Sequence, residues 1–206
     1  MEKKVLSVWS GEYWRTAAKE YTNLRSLCLA ALFVAMYVAL YFLVSVPISA
    51  NRYLMVTYLA VALCMILCGP LVGVSAGIIS DILCFIIKPL GAFFPGYTLS
   101  CMLGYVIFGL VLYRKHITVL RICIAKLVIN VFVNVGLGCL WSSMMSGKAY
   151  LFYLVESVIK NLVLYPVEVI LLCVLVRLLL PVMTQLKLIP AQTKLYWISA
   201  KLEGEK

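Results

Sequence analysis

Asp81, Lys126, Glu156, Lys160 and Glu168 are charged residues set within long apolar stretches. In hydrocarbon each costs on the order of 3 kcal/mol unless it is paired or faces water, so each is paired or functional. Glu156 and Lys160 stand at i,i+4, one above the other on a helix, and can pair directly. Lys126, Asn130 and Asn134 stand at i, i+4 and i+8 and predict a polar stripe along one helix face. Lys126 and Glu168 fall in the same half of their apolar runs, which predicts a structural ion pair. Asn134, Trp141, Lys160 and Asn161 fall nearer the other half, where a ligand can reach them and stack on the indole. Asp81 reads either as a ligand group or as a structural acceptor.

A second cluster is the segment 88–97, KPLGAFFPGY, with two prolines, two glycines and three aromatic rings in ten residues. It is stiff, apolar and suited to stacking on a flat ring, and it predicts a ligand lid containing Phe93, Phe94, Pro95, Gly96 and Tyr97. The loops assigned to the outside carry Arg52, Lys88 and Lys148 and no acid, an arrangement that favours an anionic ligand. Signatures of enzymes are missing: no GxSxG, HExxH, EExxR or Walker A motif occurs. There is no CxxC and a single histidine, His116, so neither metal nor cofactor is expected. The eight cysteines lie in apolar runs and read as small hydrophobes.

The elements that must hold these residues follow from composition. Of the 206 residues, 65% are AVILMFWYC and only 13% are charged, too apolar for the surface of a soluble domain. Six transmembrane helices are predicted, near 24–46, 54–68, 70–87, 98–113, 119–145 and 150–180. Turn chemistry separates them at Pro47, Gly69-Pro70, 88–91, 114–116 and 146–148. The first run is long enough to span and is not read as a signal peptide. Of the 18 basic residues, those at Lys3, Lys4, Arg15, Lys19, Arg25, Arg114, Lys115, Arg121, Arg177 and in the C-terminal tail lie on one side. Both termini are therefore expected in the cytoplasm. The net charge of +10 reflects this bias, and nucleic-acid binding is not expected.

Residues 10–23 place Tyr13, Trp14, Ala17, Ala18 and Tyr21 at helical spacing, opposite Glu12, Arg15, Lys19 and Glu20, which predicts an amphipathic helix on the membrane surface. The chain thus divides into a cytoplasmic N-terminal amphipathic segment (1–23), a six-helix membrane domain (24–180) and a cytoplasmic tail (181–206). The fold class is all-α and integral to the membrane. Ala31, Ala35 and Ala39 form one small-residue track and Gly69, Gly73 and Gly77 another, each permitting close helix approach. The alanine track is either internal packing or an intermolecular docking face.

Three stretches, NLRSLCLAALFVAM (23–36), GPLVG…AGIISDILCFIIKPLGAFFPGYTLS (69–100) and AKLVINVFVNVGLGCLW…GKAY…IKNLVLYPVEVILL (125–172), together carry a resemblance. The chain resembles the substrate-binding S components of energy-coupling factor (ECF) transporters, specifically the folate-specific members. The resemblance implies a multi-pass protein of the bacterial plasma membrane that captures folate or a related pterin outside. It would dock through Ala31, Ala35 and Ala39 on a transmembrane coupling subunit driven by two cytoplasmic ATPases. The aromatics Phe93, Phe94, Tyr97 and Trp141 would stack on the pterin. Asn134, Glu156, Lys160 and Asn161 would meet its polar edge, and Arg52 and Lys88 its glutamate carboxylates. The chain departs from this pattern at Tyr37, Tyr41, Cys64 and Ser157. These departures leave other ligands open: a reduced folate, or another vitamin such as thiamin or a queuosine precursor. An intramembrane enzyme or a scaffold is the competing class.

Overall fold

The computed structural model describes residues 8–43, 56–87, 94–147, 149–186, 188–190, 192 and 195–197, with 46–49 and 52–54 as backbone only. Among these residues, five helical stretches are long and apolar enough to cross a membrane: Leu24–Leu43, Tyr58–Ile87, Pro95–Leu112, Val119–Ser146 and Tyr150–Gln185. The chain forms two compact units, 8–109 and 110 onward.

The first unit opens with α1 (Gly11–Lys19), whose first turn is capped by the Ser10 hydroxyl accepting from the Glu12 amide at 3.2 Å. Tyr13 and Ala17 are fully buried, and the Tyr13 hydroxyl donates to the Gly109 carbonyl at 3.0 Å. Tyr13 and Ala17 of the amphipathic segment therefore pack on protein, while Trp14, Ala18 and Tyr21 of the same face stay exposed. The 3-10 turn Glu20–Thr22 departs from the expected polar face. Glu20 is buried rather than solvated, because its carboxylate accepts from the Ser26 hydroxyl at the start of α2 (Leu24–Leu43). A charge buried this way is tolerable only when hydrogen-bonded. After α2 a short antiparallel ribbon pairs β1 (Val46–Ser49) with β2 (Arg52–Leu54), an element absent from the all-α expectation.

The expected second and third spans form one helix, α3 (Tyr58–Ile87), broken at Gly69. Gly69 has φ 84 and ψ 173, a conformation essentially restricted to glycine. Pro70 then starts the next helical run, where its missing N–H is no loss. Residues 65 and 73 in a straight helix would be about 12 Å apart along the axis. A Cβ on Gly73 would instead collide with Met65 Sδ, so the chain bends sharply at Gly69. Further along, a Cβ on Gly77 would lie 2.9 Å from the Tyr105 ring of α4 (Pro95–Leu112). The glycine track thus serves internal packing.

In the second unit, α5 (Val119–Val128) runs without interruption into a π-helical segment (Ile129–Leu137) and α6 (Gly138–Ser146). Gly147, left-handed at φ 65, ends the helix. The last helix, α7 (Tyr150–Gln185), has 36 residues and is about 54 Å long, so it exceeds the hydrocarbon thickness and runs past the expected end at 180. Leu162 is 74% and Leu178 68% exposed, as suits a lipid-facing surface.

The C-terminal segment returns to α5. Val119 and Leu120 donate to the carbonyls of Tyr196 and Trp197 at 2.9 and 3.3 Å, and the Gln192 side chain bonds both N and O of Ile117. His116 beside it is half-buried, and its buried Nδ1 makes no hydrogen bond among the described residues. Burial first, then the Arg121 guanidinium, pushes its pKa below 6.5.

Two predictions follow from this packing. Gly69→Ala should destabilise the protein by about 1–3 kcal/mol, read as a lowered unfolding temperature in detergent. Gly104→Ala, where a Cβ meets nothing within 4 Å, should be neutral. Because the folded His116 holds its proton more weakly than the unfolded one, stability should be complete above pH 6.5 and fall as pH drops through the folded value. His116→Phe should flatten that slope in thermal unfolding between pH 5 and about 7.

Candidate ligand-binding site

The second unit carries a continuous polar ladder between α5, the π-helical segment and α7. At its base Lys126 Nζ lies 3.2 Å from Glu168 Oε2, with side chains only 3% and 12% exposed. The ion pair expected from the sequence is therefore present. Removing one partner of such a buried pair costs roughly 3–5 kcal/mol, because the other charge is stranded. The same Glu168 oxygen accepts from Asn130 Nδ2 at 3.0 Å. Asn134 Nδ2 then donates to Asn130 Oδ1 at 3.0 Å and to Asn161 Oδ1 at 3.4 Å. Asn161 Nδ2 donates to the Ser157 carbonyl at 2.8 Å, and the Ser157 hydroxyl donates to the Asn134 carbonyl at 3.4 Å.

The backbone explains the alignment. Residues four apart drift forward around a 3.6-residue helix, whereas the wider i→i+5 turn rotates less per residue. Lys126 lies in α5 and Asn134 in the π-helical segment, so the two drifts oppose and the stripe stays on one face. Asn130 is buried and Asn134 exposed, so the ladder runs from the core to an accessible edge. Glu156 and Lys160 are half-buried one turn apart on α7, and Trp141 is half-buried on α6.

The first unit holds a separate cluster. Phe94 and Tyr97 form an edge-to-face pair with centroids 6.1 Å apart, and the Tyr97 amide donates to the Phe94 carbonyl at 3.0 Å. Pro95 and Gly96 are the first residues of α4. The Thr98 hydroxyl donates to Asp81 Oδ2 at 2.6 Å, so Asp81 acts as a structural acceptor for the start of α4. Tyr105 shares a 3.4 Å hydrogen bond with Ser80, beneath the same end. Lys88 and Phe93 lie outside the described residues, as does the side chain of Arg52. Among the described residues no group of His, Cys, Asp and Glu could hold a metal ion.

The structure thus brings Asn134 and Asn161 together and joins Phe94 to Tyr97. Asn130 and Ser157 are ladder members that the sequence reading did not place in the site. Glu168 is linked to Asn134 through Asn130 in one hydrogen-bonded network. The i,i+4 stripe was the available signal for Asn130; Ser157 has none, because its partners lie on another helix.

Comparison with known proteins fits this arrangement. A family model described as "ECF-type riboflavin transporter, S component" matches residues 22–188. The Folate transporter FolT of Clostridium novyi (strain NT) is 37% identical over 94 residues, covering 46% of this chain and 55% of that protein. The Folate transporter FolT of Leuconostoc mesenteroides subsp. mesenteroides is 33% identical over 90 residues, covering 41% and 48%. The chain thus spans about half the length of the curated relatives it matches. A crystal structure of FolT bound with folic acid matches with a TM-score of 0.68 at 25% identity, covering 73% of this chain and 91% of that one. With most of its length matched by the family model, this chain belongs to the ECF-type riboflavin transporter S-component family, whose members are membrane transport subunits and not enzymes.

Proposed function

We propose that this protein is the folate-binding S component of an ECF-type uptake transporter in the bacterial plasma membrane. The observation that carries the reading is the likeness, over most of both chains, to FolT with folic acid bound. The polar ladder supports it, since a flat pterin offers a hydrogen-bonding edge that Asn134 and Asn161 can meet at the accessible end. Phe94, Tyr97 and Trp141 supply rings for stacking, with Pro95 and Gly96 setting the start of α4. Glu156 and Lys160 add polar groups one turn apart on α7. Arg52 and Lys88 meet the glutamate carboxylates of the tail, Arg52 through its bidentate fork.

In this reading the break at Gly69 makes six spans of the five apolar helices, with both termini in the cytoplasm. The N-terminal segment 1–23 and the tail 181–206 flank the membrane domain on that side. Uptake is driven by a transmembrane coupling subunit and two cytoplasmic ATPases. Ala31, Ala35 and Ala39 are all exposed on α2, which supports their role as the docking track for that subunit. A riboflavin-binding S component is the second reading, favoured by the description of the matching family model.

Purification from vitamin-replete cells followed by mass spectrometry of the bound small molecule separates the two. Folate is expected, and riboflavin in its place would replace the reading. Arg52→Ala should weaken folate binding by about 1.5–3 kcal/mol, the worth of a hydrogen bond to a charged group, with thermal stability unchanged. Unchanged affinity in calorimetric titration would remove Arg52 from the site. Ala35→Leu should leave folate affinity intact yet lower uptake by about tenfold or more in proteoliposomes holding the coupling subunit and ATPases, because added bulk prevents close helix approach.

A further inference from the structure

We infer that Lys115 and Arg121 form a binding site for the phosphate of an anionic phospholipid, with an acyl chain lying along Leu120, Ile124 and Leu127 of α5. The inference goes beyond the transport reading and uses no part of the folate site.

Both cations are held in place by neutral groups. Lys115 Nζ donates to the Leu110 carbonyl at 3.0 Å, in the last turn of α4. Arg121 Nη1 donates to the His116 carbonyl at 2.7 Å and so folds back over the turn that precedes α5. At a membrane surface such side chains ordinarily extend their heads into water. Here both residues are half-buried, and a carbonyl fixes each head at one point. An ammonium has three N–H donors and a guanidinium five. One of each is spent on a carbonyl, and neither cation joins an ion pair among the described residues. The two charges also feel each other: burial first, then the Arg121 guanidinium, lowers the pKa of Lys115. Like charges fixed near each other with no acid between them favour an anion. A phosphate offers only acceptors and suits both, Arg121 through its bidentate fork.

The apolar half of the ligand follows from the next turns of the same helix. Leu120, Ile124 and Leu127 stand at i, i+4 and i+7 on one face, and all three are exposed. Ile124 lies three residues after Arg121, so this stripe passes beside the guanidinium. Trp197 is 79% exposed, and its carbonyl accepts from the Leu120 amide at 3.3 Å, which pins it to the first turn of α5. Exposed tryptophan is characteristic of headgroup depth. A soluble phosphate compound would use the cations and leave the stripe and the indole without a role. An anionic lipid uses all of them.

The test is native mass spectrometry of the full-length protein in detergent, with phosphatidylglycerol or phosphatidylcholine added. The wild type should retain phosphatidylglycerol about tenfold or more over phosphatidylcholine, since each cation contributes about fivefold. Lys115→Gln with Arg121→Gln keeps a donor for each carbonyl and should lose most of that preference. Arg15→Gln with Lys19→Gln removes two exposed charges from α1 and should leave it unchanged. Equal loss in the two double variants would show a diffuse positive field and overturn the inference. So would a wild type without preference. Inorganic phosphate should not displace the lipid at equal concentration; displacement would mark a site for soluble anions and overturn the lipid assignment. If the Lys115 and Arg121 variant does not fold, the wild type in vesicles of either lipid serves instead. Amine acetylation mapped on peptides should then find Lys115 severalfold less reactive in phosphatidylglycerol than in phosphatidylcholine, relative to Lys19. Equal relative reactivity in the two lipids would also overturn the inference.

Discussion

The structure depends on one constraint: hydrocarbon offers no partner for a polar group, so every such group in the membrane-spanning part must be satisfied by protein or ligand. The Lys126–Glu168 pair is where this constraint is most severe. Two full charges lie among apolar helices, and the geometry that makes them tolerable is a short contact reinforced by a third donor, Asn130. That base sets the orientation of the Asn130 amide, and the Ser157 carbonyl sets that of Asn161 at the other end, with Asn134 held between them. The same rule operates in the first unit, where Asp81 takes the Thr98 hydroxyl, and at the N-terminal segment, where buried Glu20 takes that of Ser26. The amide ladder, Thr98 and Ser26 are thus each anchored on a charge.

Close helix approach is the second organising element. With lipid as apolar as the side chains, helices gain from contact chiefly through dispersion, which requires small residues at the crossing points. Gly73 admits the Met65 side chain and Gly77 the Tyr105 ring. Gly109 does the same for Pro70, whose Cα would stand 3.1 Å from an added Cβ. The alanines of α2 obey the same small-residue spacing, yet all three are exposed. Identical sequence spacing thus serves internal packing in one helix and a free face in another.

Much of this was legible in the sequence, for identifiable reasons. The apolar helices were, because lipid imposes length and composition directly. The break at Gly69-Pro70 was, because few backbones accept that pair in a helix interior. The Lys126–Glu168 pair was, because two unpaired charges there would be untenable. Glu20 was misread, since helical periodicity assigned it to the polar face while a 3-10 turn carries it inward. The β1–β2 ribbon escaped a reading tuned to helices. Ser157 and the directions of the amide bonds could not be seen, because they depend on which faces of α5 and α7 meet. The π-helical turn has no compositional signature in INVFVNVGL, yet it keeps Asn134 in line with Lys126.

The return of the C-terminal segment to α5 has a practical side. The carbonyls of Tyr196 and Trp197, with the Gln192 side chain, stand in for the missing preceding turn of that helix. Residues that look like a dispensable tail therefore act as a splint for the helix bearing Lys126. Affinity handles or fluorescent fusions attached close behind Trp197 would tug on the same splint that holds the ion pair's helix in register.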